Sequence, residues 1–517
     1  MDKKQLIRIL LYAGLMFSGM MLWEKWQGQK ASQKKKSATE HHQSINANSA
    51  SRTAKAKQVS LSNNVVTVTL NRQGGSVINV ALHDYFETMK KQSPVQVMNE
   101  SDDNYLIGSS GVVGDDKVLF HVKKKSHNDH TSLISMAGTL KSGVVIEKVY
   151  TLEQGKYAVD VKTKVYNQSE QSIRIQGQDY IKQVEPEKKD TGWFAFQSFQ
   201  GMSYHSDEHS YKKISFSDMD DSDLKQTANG GWIASQTRYF LSAWIPKSHV
   251  RQHLYTRTID GGYYIMGLVN PVVEVLPNEM VEITSTLYAG PEIIDNLKPI
   301  SSSLALTVDF GFLWVLSQGI FWVMEFIEQY IGNWGWSIVL VTLLIKALFY
   351  GLSAKSYRSM ARMRNLQPKI KALQEQYKDD KQRLGQETVA LYKKEKINPL
   401  SGCLPMLIQI PFFLALYWVL MESVQLRHAP FILWIHDLAS KDPYYVLPVL
   451  MGITMFLQQK MNPTQGNPDQ EKVMMVLPLI FTVMFLNFPS GLVLYWLVNN
   501  VLSIAQQWSI MRMHGKS

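Results

Sequence analysis

The sequence predicts a multi-domain membrane protein: six transmembrane helices, comprising an N-terminal anchor and a five-helix core, with a β-sandwich domain outside the membrane and a helical hairpin in the cytoplasm. Three observations carry this expectation. Residues 24–300 are polar and alternate as strands do, residues from about 331 to 511 contain apolar runs such as Trp336 to Leu352, and a formal charge of +10 is concentrated in two short blocks. The averages over 517 residues, 45% hydrophobic and 19% charged, would suit a soluble enzyme and describe neither part.

The two blocks are residues 25–57, with eight Lys or Arg against one Glu, and residues 355–396, with twelve against five acids; the rest of the chain is net negative. Both flank apolar spans, so membrane lipids with anionic head groups, or the ribosome, are the expected partners. A nucleic-acid reader would interleave its cations with base-stacking aromatics. Neither block has that character, and no specific nucleic-acid sequence is expected as a partner. The single cysteine, Cys403, excludes a disulfide framework, CxxC redox chemistry and a Cys-rich zinc site.

Taken in order, residues 1–24 have a basic start and an apolar stretch from Leu6 to Trp23, with no small-x-small cleavage site after it. They read as an uncleaved signal anchor, the alternative being a cleaved signal. Residues 25–57 hold little to bury and read as a disordered basic tether. Residues 58–307 read as the β-sandwich: Asn64 to Leu70, Val144 to Leu152 and Tyr157 to Tyr166 alternate apolar with polar. Gly74, Gly75, Gly111, Gly114, Gly155, Gly261 and Gly262 are its expected turns. The pairs His205/His209 and His127/His130 lie in polar runs that read as solvated loops rather than metal ligands. No HExxH, GxSxG, P-loop or GxGxxG is present, so the sequence gives no handle for an active site or a cofactor.

Residues 308–332 place Gln318, Glu325, Glu328 and Gln329 on one stripe of a helix otherwise covered by Phe312, Trp314, Trp322, Phe326 and Ile327. That pattern predicts a helix lying in the membrane interface, the alternative being a further span. Residues 333–511 form the core, with spans near Trp336–Leu352, Gly402–Met421, Tyr444–Leu457, Val473–Phe488 and Gly491–Ala505. The last three reach only about 21–24 Å against a hydrocarbon core of about 30 Å, so the bilayer is expected to thin around them. Between the first two lies the cytoplasmic hairpin, residues 353–397, with arms Ser353 to Tyr377, bent at Pro368, and Lys381 to Lys396. Its first arm carries Arg358, Arg362, Arg364, Lys369 and Lys371. A tail over 512–517 closes the chain. The Lys/Arg-rich hairpin puts both termini in the cytoplasm and the β-domain outside.

Lys346 falls in the middle of its span, where a cation costs about 2.5–3.5 kcal/mol unless it meets water or a partner. Thr342, Lys346 and Tyr350 share a face at i, i+4 and i+8. A second stripe runs through Tyr495, Asn499, Ser503 and Gln507, with Asn500 and Gln506 beside it, and Gln409 is the strongly polar residue in the middle of the third span. No acid lies at the depth of Lys346, since Glu422 is at the end of its span. The residues point to a hydrated, positively charged cavity, the alternative being a lysine that snorkels to the interface.

At this point the chain resembles a known family. NPLSGCLPMLIQIPFFLALYW (Asn398 to Trp418), WIHDL (Trp434 to Leu438), DPYYVLPVLMGITMF (Asp442 to Phe456) and FPSGLVLYWLVNN (Phe488 to Asn500) closely resemble the YidC branch of the YidC/Oxa/Alb membrane protein insertases. GGWIASQTRYFLSAWIP (Gly230 to Pro246) is similar to the signature of the periplasmic domain of Gram-negative members. The resemblance implies an insertase and folding chaperone of the inner membrane that takes nascent membrane proteins, alone or with Sec translocase components, and performs no catalytic reaction. It implies a hydrophilic groove whose arginine is replaced here by Lys346, which keeps the charge and loses the bidentate fork. It places Thr342, Gln409 and Asn500 around that groove, with Trp496 as a groove aromatic, and it makes the basic hairpin the contact for a ribosome or targeting receptor. The reading set against it is a secondary transporter or channel for a small anion, with Lys346 as the binding charge; unlike spans without a recurring glycine-broken pair argue the other way.

Overall fold

The structure, a computed structural model, describes residues 58–514 apart from 91, 102–103, 141, 188–197, 248–249, 378–379, 396–403 and 463–467. The expected anchor and tether, Cys403 and the last three residues of the tail lie outside the described residues.

The strands, in chain order, are β1 Gln58–Ser62, β2 Val66–Asn71, β3 Val77–Phe86, β4 Pro94–Met98, β5 Leu106–Val112, β6 His121–His127, β7 Thr131–Thr139, β8 Val145–Glu153 and β9 Ala158–Tyr166. They continue as β10 Ile173–Val184, β11 Gly201–His205, β12 Lys212–Ile214, β13 Lys225–Asn229, β14 Trp232–Gln236, β15 Phe240–Pro246, β16 Arg251–Ile259, β17 Tyr263–Val275 and β18 Met280–Pro291. Two antiparallel sheets result. One runs β1-β2-β3-β5-β10-β17-β16-β13 with β4 on β3, and the other runs β12-β11-β14-β15-β18-β9-β8-β7-β6. Alternation produces this packing directly: Ile146, Lys148, Tyr150 and Leu152 on β8 all point inward, and meet Leu70, Val80, Leu82 and Met266 from the facing sheet in one core.

Gly74, Gly75, Gly114, Gly155, Gly261 and Gly262 have positive φ at turns, as expected. Gly111 does not: it lies inside β5. A Cβ there would stand 1.9 Å from the Asp115 carboxylate and 2.7 Å from Lys148 Nζ. The glycine is needed for space, because Lys148 and Asp115 form an ion pair at 2.9 Å with both side chains buried between the sheets. Lys148 Nζ also donates to the Gly74 carbonyl at 2.8 Å, and the Asp115 carboxylate accepts from the Val112 amide at 2.9 Å, so each charge has polar company. The two His pairs sit at strand ends and loops, where His127 Nδ1 lies 2.6 Å from Ser132 Oγ and His205 Nδ1 lies 3.0 Å from the Ser210 carbonyl.

The helices are α1 Phe216–Asp221, α2 Ile294–Leu297, α3 Trp314–Ile331, α4 Trp334–Leu348, α5 Tyr350–Gln376, α6 Lys381–Lys394, α7 Leu404–Glu422, α8 Val446–Met461, α9 Pro468–Phe485 and α10 Ser490–His514. α3 buries Ser317, Ile320 and Met324 and leaves Trp314, Val315, Trp322, Phe326 and Tyr330 exposed. Gly332, in the left-handed region, ends it. Asn333 then caps α4 by accepting from the Trp336 amide, and Gly335 allows the Phe431 ring to approach where a Cβ would lie 2.1 Å from it. α3, α4, α7, α8, α9 and α10 enclose a second core with Val341, Leu416, Leu420, Met451, Phe485 and Leu492 at its centre.

Among the described residues no single helix is long and apolar enough to cross a membrane; α4 and α5, bent by 68° where they meet, pass only as a pair. The first expected span therefore ends early. It stops at Leu348, and Phe349 forms the break, its ring set edge-on to Phe412 at 4.9 Å. The bend lies there, while α5 runs on through Pro368. α5 and α6 form the expected hairpin around a small core of Met363, Leu366, Ile370 and Tyr392. Asp437 and Asp442 organise the loop between α7 and α8. The Asp442 carboxylate accepts from Trp434 Nε1 at 3.0 Å and from the amides of Tyr444 and Leu447 at 2.9 and 2.7 Å, which caps α8.

Candidate functional site

Three helices bring their polar residues to one place. Lys346 projects from α4 and donates to Ser503 Oγ on α10 at 2.7 Å and to Gln409 Oε1 on α7 at 3.4 Å. Ser503 Oγ itself donates to the Asn499 carbonyl one turn back at 2.6 Å, which leaves its lone pairs toward the ammonium. Gln409 Nε2 donates to Asn499 Oδ1, which closes a chain Lys346–Ser503–Asn499–Gln409 across α4, α10 and α7. These recorded partners of the ammonium are neutral. Lys346 is partly buried and Ser503 is buried, so these contacts set no carboxylate against the ammonium inside an otherwise apolar bundle.

The other expected site residues are placed differently. Thr342 is buried and spends its hydroxyl on the Ile338 carbonyl of its own helix at 2.6 Å. Asn500 turns from Lys346 toward α8, where it donates to Thr454 Oγ1 at 3.3 Å. Tyr350 leaves the Lys346 face because the helix breaks before it; its carbonyl accepts from Gln506 Nε2 at 3.2 Å, and its side chain is exposed. Tyr495 lies in the core, stacked on Phe413 at 6.2 Å, rather than on an open wall. Trp496 packs edge-on to the same Phe413 ring at 4.6 Å and against Phe485 at 5.3 Å. Residues 495, 499, 503 and 507 form one stripe at a spacing of four, and the two central members of that stripe complete the site. On the hairpin, Arg358, Arg362, Arg364, Lys369 and Lys371 are all exposed, and Lys369 pairs with Glu395 at 2.7 Å.

Two family models match the chain, and their boundary falls within α3. Residues 58–323 match a family model described as the YidC periplasmic domain, and residues 326–517 match one described as 60Kd inner membrane protein. The membrane protein insertase YidC of Legionella pneumophila (strain Paris) is 42% identical over 544 aligned positions, covering 98% of this chain and 97% of that protein. The chain belongs to the YidC family of membrane protein insertases. The YidC protein of Hahella chejuensis is 44% identical over 481 positions, 90% of this chain and 84% of its own. A crystal structure titled as an active YidC insertase with its first transmembrane domain resolved covers 87% of this chain and 92% of its own, at 16% identity and a TM-score of 0.39. Membership fixes the broad function as membrane protein insertion, with nascent membrane proteins as substrates. YidC relatives are inner-membrane insertases with a periplasmic domain, and the β-sandwich is that domain.

Proposed function

We propose that insertion proceeds through a hydrated, positively charged groove built on Lys346, Gln409, Asn499 and Ser503, with Thr342, Tyr495, Trp496 and Asn500 as its supporting frame and Tyr350 at its cytoplasmic mouth. The observation that carries this is the Lys346 ammonium held by neutral oxygens inside an apolar bundle. A carboxylate partner would cancel its field, whereas neutral partners orient it and leave the field to act on a substrate. An acidic or polar segment entering from the cytoplasm exchanges some of its hydration for this site, which lowers the cost of its passage. The short helices add a second effect. Fifteen residues of α4 and sixteen of α8 reach about 22–24 Å, less than the usual hydrocarbon thickness, so a thinned bilayer shortens the remaining path. The apolar helix of the substrate then leaves along α7 and α9 into lipid, driven by burial at about 25 cal/mol per Å².

In this reading residues 1–24 are the first of six spans and 25–57 the tether. Residues 58–307 are the periplasmic domain, 308–332 the interfacial helix, 333–511 the five-span core with hairpin 353–397, and 512–517 the tail. Both termini are cytoplasmic. The exposed cations of the hairpin receive a ribosome or targeting receptor and touch anionic lipid, and the chain works alone or beside Sec translocase components. Crosslinking from photoreactive groups at positions 346, 409 and 503 during translation tests the groove. Adducts to the polar flank of a nascent substrate are expected at all three. Adducts only at lipid-facing control positions such as 410 would sink the reading.

A further inference from the structure

The segment Gly230 to Pro246 is the longest sequence motif outside the helical core, and its fold gives it a contact that the groove does not explain. β14 and β15 pair antiparallel, and Thr237, Arg238 and Tyr239 form the turn between them, closed by the Thr237 amide donating to the Phe240 carbonyl at 3.0 Å. This turn rests on the outer end of α7. Arg238 Nε donates to the Met421 carbonyl at 2.8 Å, and its Nη2 lies 3.5 Å from Met421 Sδ. Met421 is the penultimate residue of α7, so its carbonyl is one of the four that a helix leaves without an internal donor. A guanidinium there satisfies the carbonyl and complements the negative end of the helix dipole.

Neighbouring contacts make the junction a grip rather than a single bond. Glu422, the last residue of α7, accepts from Ser198 Oγ of the β-domain at 2.7 Å. Arg427, just past α7, reaches the Glu87 carbonyl at 3.4 Å and holds its guanidinium 5.8 Å from the centre of the Phe240 ring at the base of the same turn. The Arg238 guanidinium is braced from behind by the Tyr239 ring, 4.8 Å away. Tyr239 is tied back to the sandwich through its carbonyl, which accepts the Glu292 amide at 2.9 Å. The β-domain thus holds one end of the helix that carries Gln409. The rise of twelve residues from Gln409 to Met421 is about 18 Å of helix.

We propose that Arg238 is a positioning residue for insertion: by capping α7 from the β-domain it fixes the axial position of that helix, and with it the place of Gln409 beside Lys346. The proposal rests on the groove reading given above for its consequence, but its geometry is tested separately. A full-length chain with Cys403→Ser, Leu344→Cys and Ile410→Cys carries one spin label on α4 and one on α7, both at exposed positions. In proteoliposomes, Arg238→Ala should broaden the distance distribution between these labels. It should also lower the insertion rate of a small radiolabelled membrane protein about tenfold, the weight of one charge-assisted hydrogen bond. Arg238→Lys, which can still donate to the Met421 carbonyl, should restore the narrow distribution and most of the rate. Should Arg238→Ala fail to accumulate, Arg238→Gln against Arg238→Lys makes the same comparison. An unchanged distance distribution in the neutral variants overturns the proposal, whatever happens to insertion. A broadened distribution with a wild-type insertion rate overturns it too. Failure of the groove reading shows elsewhere, as full insertion by Lys346→Ala with the distance between the labels unaltered.

Discussion

The ammonium of Lys346 on α4 and the hydroxyl of Ser503 on α10 meet at 2.7 Å across 157 positions of sequence. The hydroxyl is committed as an acceptor because its own proton goes to the Asn499 carbonyl. The expected mid-span lysine thus stands in the last turn of α4, where neutral oxygens orient it.

That arrangement predicts a graded response to substitution. Lys346→Ala should slow insertion of small single- or double-spanning substrates with acidic translocated segments about tenfold or more, the loss expected of one charge-assisted contact. Lys346→Arg should retain the rate, since charge rather than fork geometry is used here. Translation-coupled insertion into proteoliposomes measures all three proteins. Equal rates would remove the electrostatic part of the mechanism.

A second prediction concerns the contact between α8 and α9. Gly452 on α8 faces Thr482 on α9, and a Cβ at that glycine would lie 2.0 Å from Thr482 Oγ1. Small residues allow helices in lipid to approach this closely. Gly452→Leu should push α8 from α9 and destabilise the core by about 1–3 kcal/mol, the usual penalty of overpacking. Thermal unfolding in detergent should show it, and Gly452→Leu with Thr482→Ala should recover part of the loss.

The sequence made much of this legible because its signals were periodic. Alternation over Val144 to Leu152 and Tyr157 to Tyr166 specified β8 and β9 to within a residue, and the apolar run from Tyr444 to Leu457 fell on α8. The unread parts depended on contacts distant in the chain. Gly111 looks like a turn residue until Lys148 and Asp115 are seen to need its missing side chain. Tyr350 stands one turn past Lys346 in sequence, but the break at Phe349 takes it off that face. Asn499 and Asn500 are adjacent and chemically identical; only the rotation of α10 decides that Asn499 meets Gln409 and Asn500 meets Thr454.

The buried pair in the sandwich gives a third prediction. Lys148→Ala leaves the Asp115 carboxylate enclosed, with its ammonium partner gone, and should cost about 3–5 kcal/mol. Lys148→Met together with Asp115→Asn keeps the volume and the acceptor for the Val112 amide, so it should lose far less. Chemical unfolding of the full chain followed by β-sheet circular dichroism separates the two. A double variant as weak as Lys148→Ala would show that packing, not an orphaned charge, sets the cost.

The same interior predicts how stability depends on pH. Asp179 on β10 is 2% exposed; its Oδ2 accepts from Ser285 Oγ at 2.9 Å, and its Oδ1 has no hydrogen-bond partner among the described residues. Burial pushes its carboxyl up to about 6, against the lowering influence of Ser110, Ser285 and Lys148. An unfolded aspartate titrates near 3.9. Below about pH 4 both states hold the proton, so the group has no effect on the balance. Between about 4 and 6 the unfolded chain has released it while the folded chain retains it, so stability falls as pH rises; above about 6 the loss is complete, at about 3 kcal/mol. Asp179→Asn removes this dependence. The variant should match the wild type near pH 4 and exceed it at pH 7, with a flatter course of melting temperature between. Parallel curves for the two proteins from pH 4 to 7 would mean that Asp179 is already ionised in the folded sandwich at acid pH, and that Lys148 reaches it more strongly than burial opposes.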